Sequence, residues 1–270
     1  LGWALDEIAW ARFDRSRLDP EIVTIVKAAS LVEYNGAAYA HHLCRVFDGD
    51  PAFQESARRW GEEEVRHGAA LGRWAELADP EFDFAAAIGR FRTGYQVDFE
   101  RDRSRRGSRA GEMVARCIVE TGTSSYYSAL RDAAREPVLK EICGKIAADE
   151  VRHYRLFYRT LVRCLEDERL GAWPRLRVAL GRLAEANDDE LAYAYFAANE
   201  TARPYSRRRC ARAYARRAFA VYREPHVARG VKLIFRAVGL SANSRLCRAA
   251  AGLAWLALRG RAAYLAKTAA

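Results

Sequence analysis

Acid is nearly missing from the last quarter of this chain. Residues 201–270 hold 16 Lys+Arg against one Asp or Glu, a net of +15. Residues 1–200 hold 29 against 34, a net of −5, so the overall +10 belongs to the C-terminal region. Such a region attracts nucleic acid, an anionic membrane surface or an acidic protein. Nucleic acid is the weakest of the three. No recognised binding motif accompanies the charge, and Arg scattered among Ala and Tyr also packs between helices. Sustained Val/Ile/Thr alternation is absent, which argues against a sheet. No window reaches 18 uncharged apolar residues, which argues against a membrane-spanning helix. The six cysteines form no close CxxC pair. Their wide, helix-embedded spacing suits buried thiols in a reducing compartment better than a disulfide framework. There is no low-complexity tract and no recognisable secretory signal. The chain opens Leu1-Gly2-Trp3 without Met, as a processed or trimmed start would. The expected location is cytoplasmic, with peripheral membrane contact through the C-terminal region as the variant.

What is present is helix. Half of the 270 residues are apolar, enough for a substantial core. Asp19-Pro20 signals a helix start, because Pro at the first position forgoes an amide hydrogen not needed there. One helix is expected over 20–47. Turn signals at Asp48-Gly49-Asp50-Pro51 and Asp79-Pro80 bound a second, over 51–78. Further helical segments are expected over 82–102, 110–134, 137–166, 175–201 and 205–222, and after Pro225 and Ser241. Connections near 48–50 and 135–136 are short, and the passage from 79 to 109 is a long crossover. The expected architecture is all-α: a four-helix bundle with one long crossover over residues 1–170, and an Arg-rich helical extension over 171–270 packing on it.

Glu150-Val151-Arg152-His153 occurs a second time as Glu64-Val65-Arg66-His67. Each copy puts a carboxylate and an imidazole on one helix face, one turn apart. Glu33 and Glu120 lie in weakly charged stretches, where a lone buried acid is costly unless paired or metal-bound. Separations of 31, 56 and 30 residues between Glu33, Glu64, Glu120 and Glu150 match a helical hairpin, a crossover and a second hairpin. Glu33, Glu64, His67, Glu120, Glu150 and His153 are therefore the candidate ligands for two metal ions. A set of four carboxylates and two imidazoles without thiolate suits Fe or Mn, not a zinc or iron–sulfur site. Glu63 and Asp149 each precede a ligand Glu, and each is placed to orient the histidine of the opposite motif. Arg66 and Arg152 either neutralise this acidic cluster or face water. Of Tyr34, Tyr126, Tyr127, Tyr154 and Tyr158, most are expected to pack in the core, and one is a candidate to reach the cluster.

The segments Trp60-Gly61-Glu62-Glu63-Glu64-Val65-Arg66-His67-Gly68 and Ala147-Ala148-Asp149-Glu150-Val151-Arg152-His153 resemble the di-iron helices of soluble acyl-carrier-protein desaturases. That family belongs to the ferritin-like superfamily, and the resemblance covers about residues 20–165. Trp60 and Glu120-x-x-Thr123 add to it; the region around Glu33 is only loosely similar, and the C-terminal helices have no counterpart. The resemblance implies a ferritin-like bundle holding two Fe ions, with O2 as co-substrate. It implies hydrogen removal from an unactivated C–H of an acyl chain in an apolar tunnel. Thr123 inherits a proton-delivery role from it; otherwise it is a helix threonine bonded to its own backbone. A ferredoxin-like electron donor, an acidic acyl-carrier protein and a homodimer are the implied partners. Arg103, Arg105, Arg106 and Arg109 are either a docking loop for that carrier or a solvated loop. Three other readings stand beside a desaturase: a di-iron hydroxylase or N-oxygenase, a ferritin-like iron-binding or peroxide-detoxifying protein, and a membrane- or nucleic-acid-associated protein with a structural metal site.

Overall fold

The computed structural model describes residues 2–95, 104, 106–185 and 189–268. Among them there are helices and no strand. Three short 3-10 turns between Leu5 and Arg17 lead into α1 (Pro20–Tyr34), α2 (Gly36–Val46) and α3 (Pro51–Ala78). Then follow α4 (Phe84–Gly94), α5 (Arg109–Ala133) and α6 (Pro137–Glu168). The remaining helices are α7 (Ala172–Glu185), α8 (Asp189–Asn199), α9 (Arg207–Ala220), α10 (Glu224–Ala237) and α11 (Arg245–Lys267).

An acid followed by proline starts three of the four helices that carry the candidate ligands. The Asp19 side chain accepts from Glu21 N, Asp50 from Phe53 N, and Glu136 from Val138 N and Leu139 N. Each cap satisfies amides that the first turn leaves without a partner, and its negative charge suits the helix N-terminus. Ser108 does the same for α5 through Gly111 N. Glu136 also accepts from Trp74 Nε1 (2.7 Å) and Asp14 N (3.1 Å). One buried carboxylate thus ties α6 to α3 and to the N-terminal lead-in.

Helix α1 pairs with α3 and α5 with α6, and α3 meets α6 across the bundle. The buried apolar residues fall into two clusters. One takes Ile22–Leu31 of α1, Ala70–Ala78 of α3, Tyr126–Leu130 of α5 and Val138–Ala147 of α6. The other takes residues 40–46 of α2, Phe53–Trp60 of α3, Ala110–Ile118 of α5 and Tyr154–Cys164 of α6. Glu33, Glu64, His67, Glu120, Glu150 and His153 lie between these clusters on their helices, so a polar layer is sandwiched between two apolar ends. Helices α8 and α9 add to the first cluster, and α7 and α10 to the second.

The structure departs from the sequence expectation at two helices. The single helix expected over 20–47 breaks at Asn35 (φ −85°, ψ 0°) into α1 and α2. The reason is tertiary: the break brings Gly36 so near α3 that a Cβ there would lie 2.2 Å from Glu64 Cβ. The helix expected over 82–102 ends at Gly94, with Tyr95 extended, and residues 96–103 lie outside the described part. Within the helix expected over 175–201 the described residues form α7 and α8, and residues 186–188 lie outside the described part.

Gly68 makes a second close approach, since a Cβ on it would sit 2.4 Å from Tyr34 N and 2.6 Å from Tyr34 Cα. Backbone cannot yield as a side chain can. Gly68→Ala is expected to destabilise the protein by about 1–3 kcal/mol. Gly89→Ala, on exposed α4 with nothing within 4 Å of the new methyl, is expected to stabilise it by about 0.5–1 kcal/mol. Urea-unfolding midpoints of the two variants check the opposite signs.

Candidate metal centre

All six candidate ligands are buried: Glu33 from α1, Glu64 and His67 from α3, Glu120 from α5, and Glu150 and His153 from α6. Their oxygen and nitrogen atoms form two groups. Glu33, Glu64, His67 and Glu150 make one, Glu64, Glu120, Glu150 and His153 the other, and within each group the ligand atoms lie within 4.8 Å of one another. Glu64 and Glu150 belong to both, as carboxylates bridging two ions would.

The separations fit a cation. His67 Nδ1 stands 3.3 Å from Glu150 Oε1, 3.6 Å from Glu33 Oε2 and 3.7 Å from Glu64 Oε2. His153 Nδ1 stands 3.1 Å from Glu64 Oε1, 3.5 Å from Glu120 Oε2 and 3.8 Å from Glu150 Oε1. Metal–ligand bonds of about 2.1 Å put neighbouring ligands about 3.0 Å apart at right angles and about 3.4 Å apart at the tetrahedral angle. Glu33 Oε2, Glu64 Oε1, both oxygens of Glu120, Glu150 Oε1 and the Nδ1 atoms of His67 and His153 are buried without a hydrogen-bond partner. Unsatisfied buried polar atoms are costly, and these converge on one point. Four carboxylates also carry the charge that two divalent cations neutralise. The residues present therefore fit a dinuclear metal site.

Both histidines turn Nε2 outward to an acid of the opposite motif. His67 Nε2 lies 3.0 Å from Asp149 Oδ2, and His153 Nε2 lies 2.7 Å from Glu63 Oε2. A carboxylate at Nε2 keeps the proton there and leaves the Nδ1 lone pair for the centre. Arg152 reaches both acids, bonding Asp149 through one nitrogen and Glu63 Oε2 through the other at 3.0 Å. Arg66 stands 3.7 Å from Glu63. Neither arginine simply faces water. Glu63 is held down at about 2, because His153 and Arg152 outweigh the opposing effect of burial.

The buried charges shift one another's proton affinities. Burial, with help from the Glu64 charge, raises Glu33 to about 8. Burial and the neighbouring carboxylates also raise Glu120 and Glu150. Against the effect of burial, the Asp149 and Glu63 carboxylates at Nε2 and the acids crowded around Nδ1 hold His67 and His153 well above the usual imidazole range. Against the same effect, those histidines hold Glu64 well below the carboxylate range.

A cavity of about 330 Å³ borders the centre, lined by Glu33, Glu64, Glu120 and Glu150 but by neither histidine. It extends between α1 and α5 on one side and α8 and α9 on the other, past Ala29, Val32, Leu191, Ala215 and Phe219. The carboxylate side of the centre is thus open, while the histidine side is closed by Asp149, Glu63 and Arg152. Trp60 lines the cavity and meets His153 edge-on at 6.4 Å. Thr123 lines it too; its hydroxyl donates to Glu150 Oε2, and it also lies within reach of its own backbone carbonyls.

Two contacts go beyond the sequence reading. Tyr127 is the tyrosine that reaches the cluster, donating to Glu33 Oε1 (2.7 Å) and leaving Oε2 for the centre. Tyr154 instead donates to Leu233 O. Trp3 of the N-terminal lead-in donates from Nε1 to Asp149 Oδ2 (2.9 Å) and stacks on His67 at 5.9 Å. No spacing rule links residue 3 to residue 149, and an indole donor in the lead-in was the one available signal. The loop arginines do not converge on the centre. Arg106 forks onto Glu185 of α7, and Arg109 donates to Val46 O and Asp48 O. Arg103 and Arg105 lie outside the described residues.

The protein is expected to bind two Fe(II) or Mn(II) per chain, read by elemental analysis after anaerobic gel filtration. Glu33→Ala should retain one ion, and Glu150→Ala, which removes a member of both groups, fewer than one. Metal at about 100-fold excess over Kd should raise Tm by on the order of 5–10 °C. Asp149→Asn should weaken metal binding about 10–100-fold.

A scan against protein-family models and a search of curated proteins find no match to this chain, so geometry carries the functional argument.

Proposed function

We propose that this chain is an oxygen-dependent di-iron oxidoreductase with a ferritin-like bundle, acting as a desaturase on an unactivated C–H of an acyl or similarly apolar substrate. One observation carries the reading: an apolar cavity abuts the carboxylate side of the centre, the side without histidine. A protein that only stores iron has no use for such a cavity beside its ligands, whereas a substrate chain needs it. Hydroxylation or N-oxygenation would use the same arrangement, and substrate shape selects among them.

When bound, two iron ions supply the redox chemistry that activates O2. Forming one double bond removes two hydrogens from the substrate. Reducing O2 to two waters then takes two further electrons and two further protons, the electrons from a ferredoxin-like donor. Ala29, Val32, Leu191, Ala215 and Phe219 hold the apolar chain and keep bulk water from it. Tyr127 fixes one oxygen of Glu33, so the other stays aimed at the centre. Thr123 lines the cavity beside Glu150 and donates to its Oε2, which supports a role for its hydroxyl in passing a proton inward. An acyl-carrier protein is the expected form in which the substrate arrives, and a homodimer the expected assembly.

The test is anaerobic Fe(II) loading followed by O2 with acyl substrates. Mössbauer spectra should show a coupled di-iron signal that Glu150→Ala removes, and a mononuclear signal would overturn the reading. Product mass separates the chemistries: loss of two hydrogens marks desaturation and gain of one oxygen marks hydroxylation. Iron oxidation with no substrate turnover would assign the protein to iron handling. Thr123→Val should keep both irons and lower turnover on the order of 10²-fold.

A further inference from the structure

Helix α11 packs on α9 and α10 through one face only. Cys247 and Leu265 are buried there. The opposite face carries Leu246, Leu253, Leu256 and Tyr264, which are 64%, 68%, 62% and 60% exposed. At 100° per residue these four fall within one stripe about 80° wide, and exposed Ala249, Ala257 and Gly260 fill the gaps between them. The stripe runs from Leu246 to Tyr264 of a 23-residue helix, about 27 Å at 1.5 Å per residue, and Lys267 follows it on the same side. Arg245, Arg248 and Arg259 flank it on one side and Arg261 on the other, all exposed. No Asp or Glu follows Glu224 in the sequence. No helix among the described residues is long and apolar enough to cross a membrane.

Contiguous exposed apolar surface on this scale calls for an occupant. A second copy of the chain would bring the same acid-free arginine rows against each other. A folded acidic protein would need a groove shaped to one convex helix. A fluid anionic bilayer needs neither, because acyl chains close around the leucines while lipid phosphates meet the arginines above them.

We propose that α11 is a peripheral membrane-docking helix, lying in the headgroup plane of an anionic bilayer with Leu246, Leu253, Leu256 and Tyr264 inserted. Helix α9 separates it from the cavity: Arg261 of α11 lies over the Phe219 ring (5.5 Å), and Phe219 lines the cavity. Docking therefore brings the cavity wall to within one helix of the lipid. The inference does not rest on the proposed reaction.

The test uses the full chain, loaded with metal, in flotation with vesicles of phosphatidylcholine alone or with about one quarter phosphatidylglycerol. Binding is expected only to the anionic vesicles and is expected to weaken steeply between about 0.1 and 0.5 M NaCl. Leu253→Asp with Leu256→Asp should reduce it at least about tenfold, and so should Arg248→Glu with Arg259→Glu. An unchanged Tm and metal content show that the variants are folded, and turnover is not needed for the readout. Equal binding to neutral vesicles, or no binding to either by the folded chain, would overturn the proposal. So would a dimer in solution that the leucine variant dissociates while vesicles are ignored, since a second copy would then cover the face.

Discussion

Four carboxylates and two imidazoles share one buried layer, and the rest of the molecule is arranged around that electrostatic problem. Without cations the layer is strained electrostatically: burial and the Glu64 charge raise Glu33 to about 8, and the crowded acids raise both histidines. Divalent cations remove the conflict, because the charges cancel and every orphaned lone pair gains a partner. The two apolar clusters on either side keep water from competing. Glu136 ties α6 to α3 and to the lead-in, and acid–proline caps fix where α1, α3 and α6 begin.

The centre has two unlike sides. Imidazoles, Glu63, Asp149 and Arg152 close one side into a charged, hydrogen-bonded wall, with Trp3 laid over it. Carboxylates alone meet the cavity on the other. Carboxylates are the ligands able to change from one-oxygen to two-oxygen binding, so the adaptable part of a bound centre would face the cavity. Tyr127 and Thr123 each hold one oxygen of a cavity-facing carboxylate and restrain that freedom.

Much of the centre was legible in the sequence because its information is local. Two ExxH copies set at helical spacing put Glu64, His67, Glu150 and His153 on known faces, and two lone acids in apolar stretches supplied Glu33 and Glu120. The acids at 63 and 149 were legible for the same reason, since a neighbour on the same helix shares its orientation. The break at Asn35 was not legible, because it depends on α3 passing close enough to require glycine at 36. Trp3 was not legible either, as its bond spans 146 positions along the chain. The excess of arginine in the last quarter was plain from composition. Which face of α11 stays bare emerged only from what packs against it.

The crossing of acid and histidine between the two motifs has a consequence for how the site comes into being. His67 needs Asp149, and His153 needs Glu63, so neither hairpin of the bundle contains a complete set of oriented ligands. Metal capture and the docking of residues 20–78 against residues 109–168 would then be a single thermodynamic event. Bound ions would act as a latch between two halves of one chain. A half newly made, still waiting for the other, would hold its ligands but not their alignment, and would be spared from trapping a stray metal ion too soon.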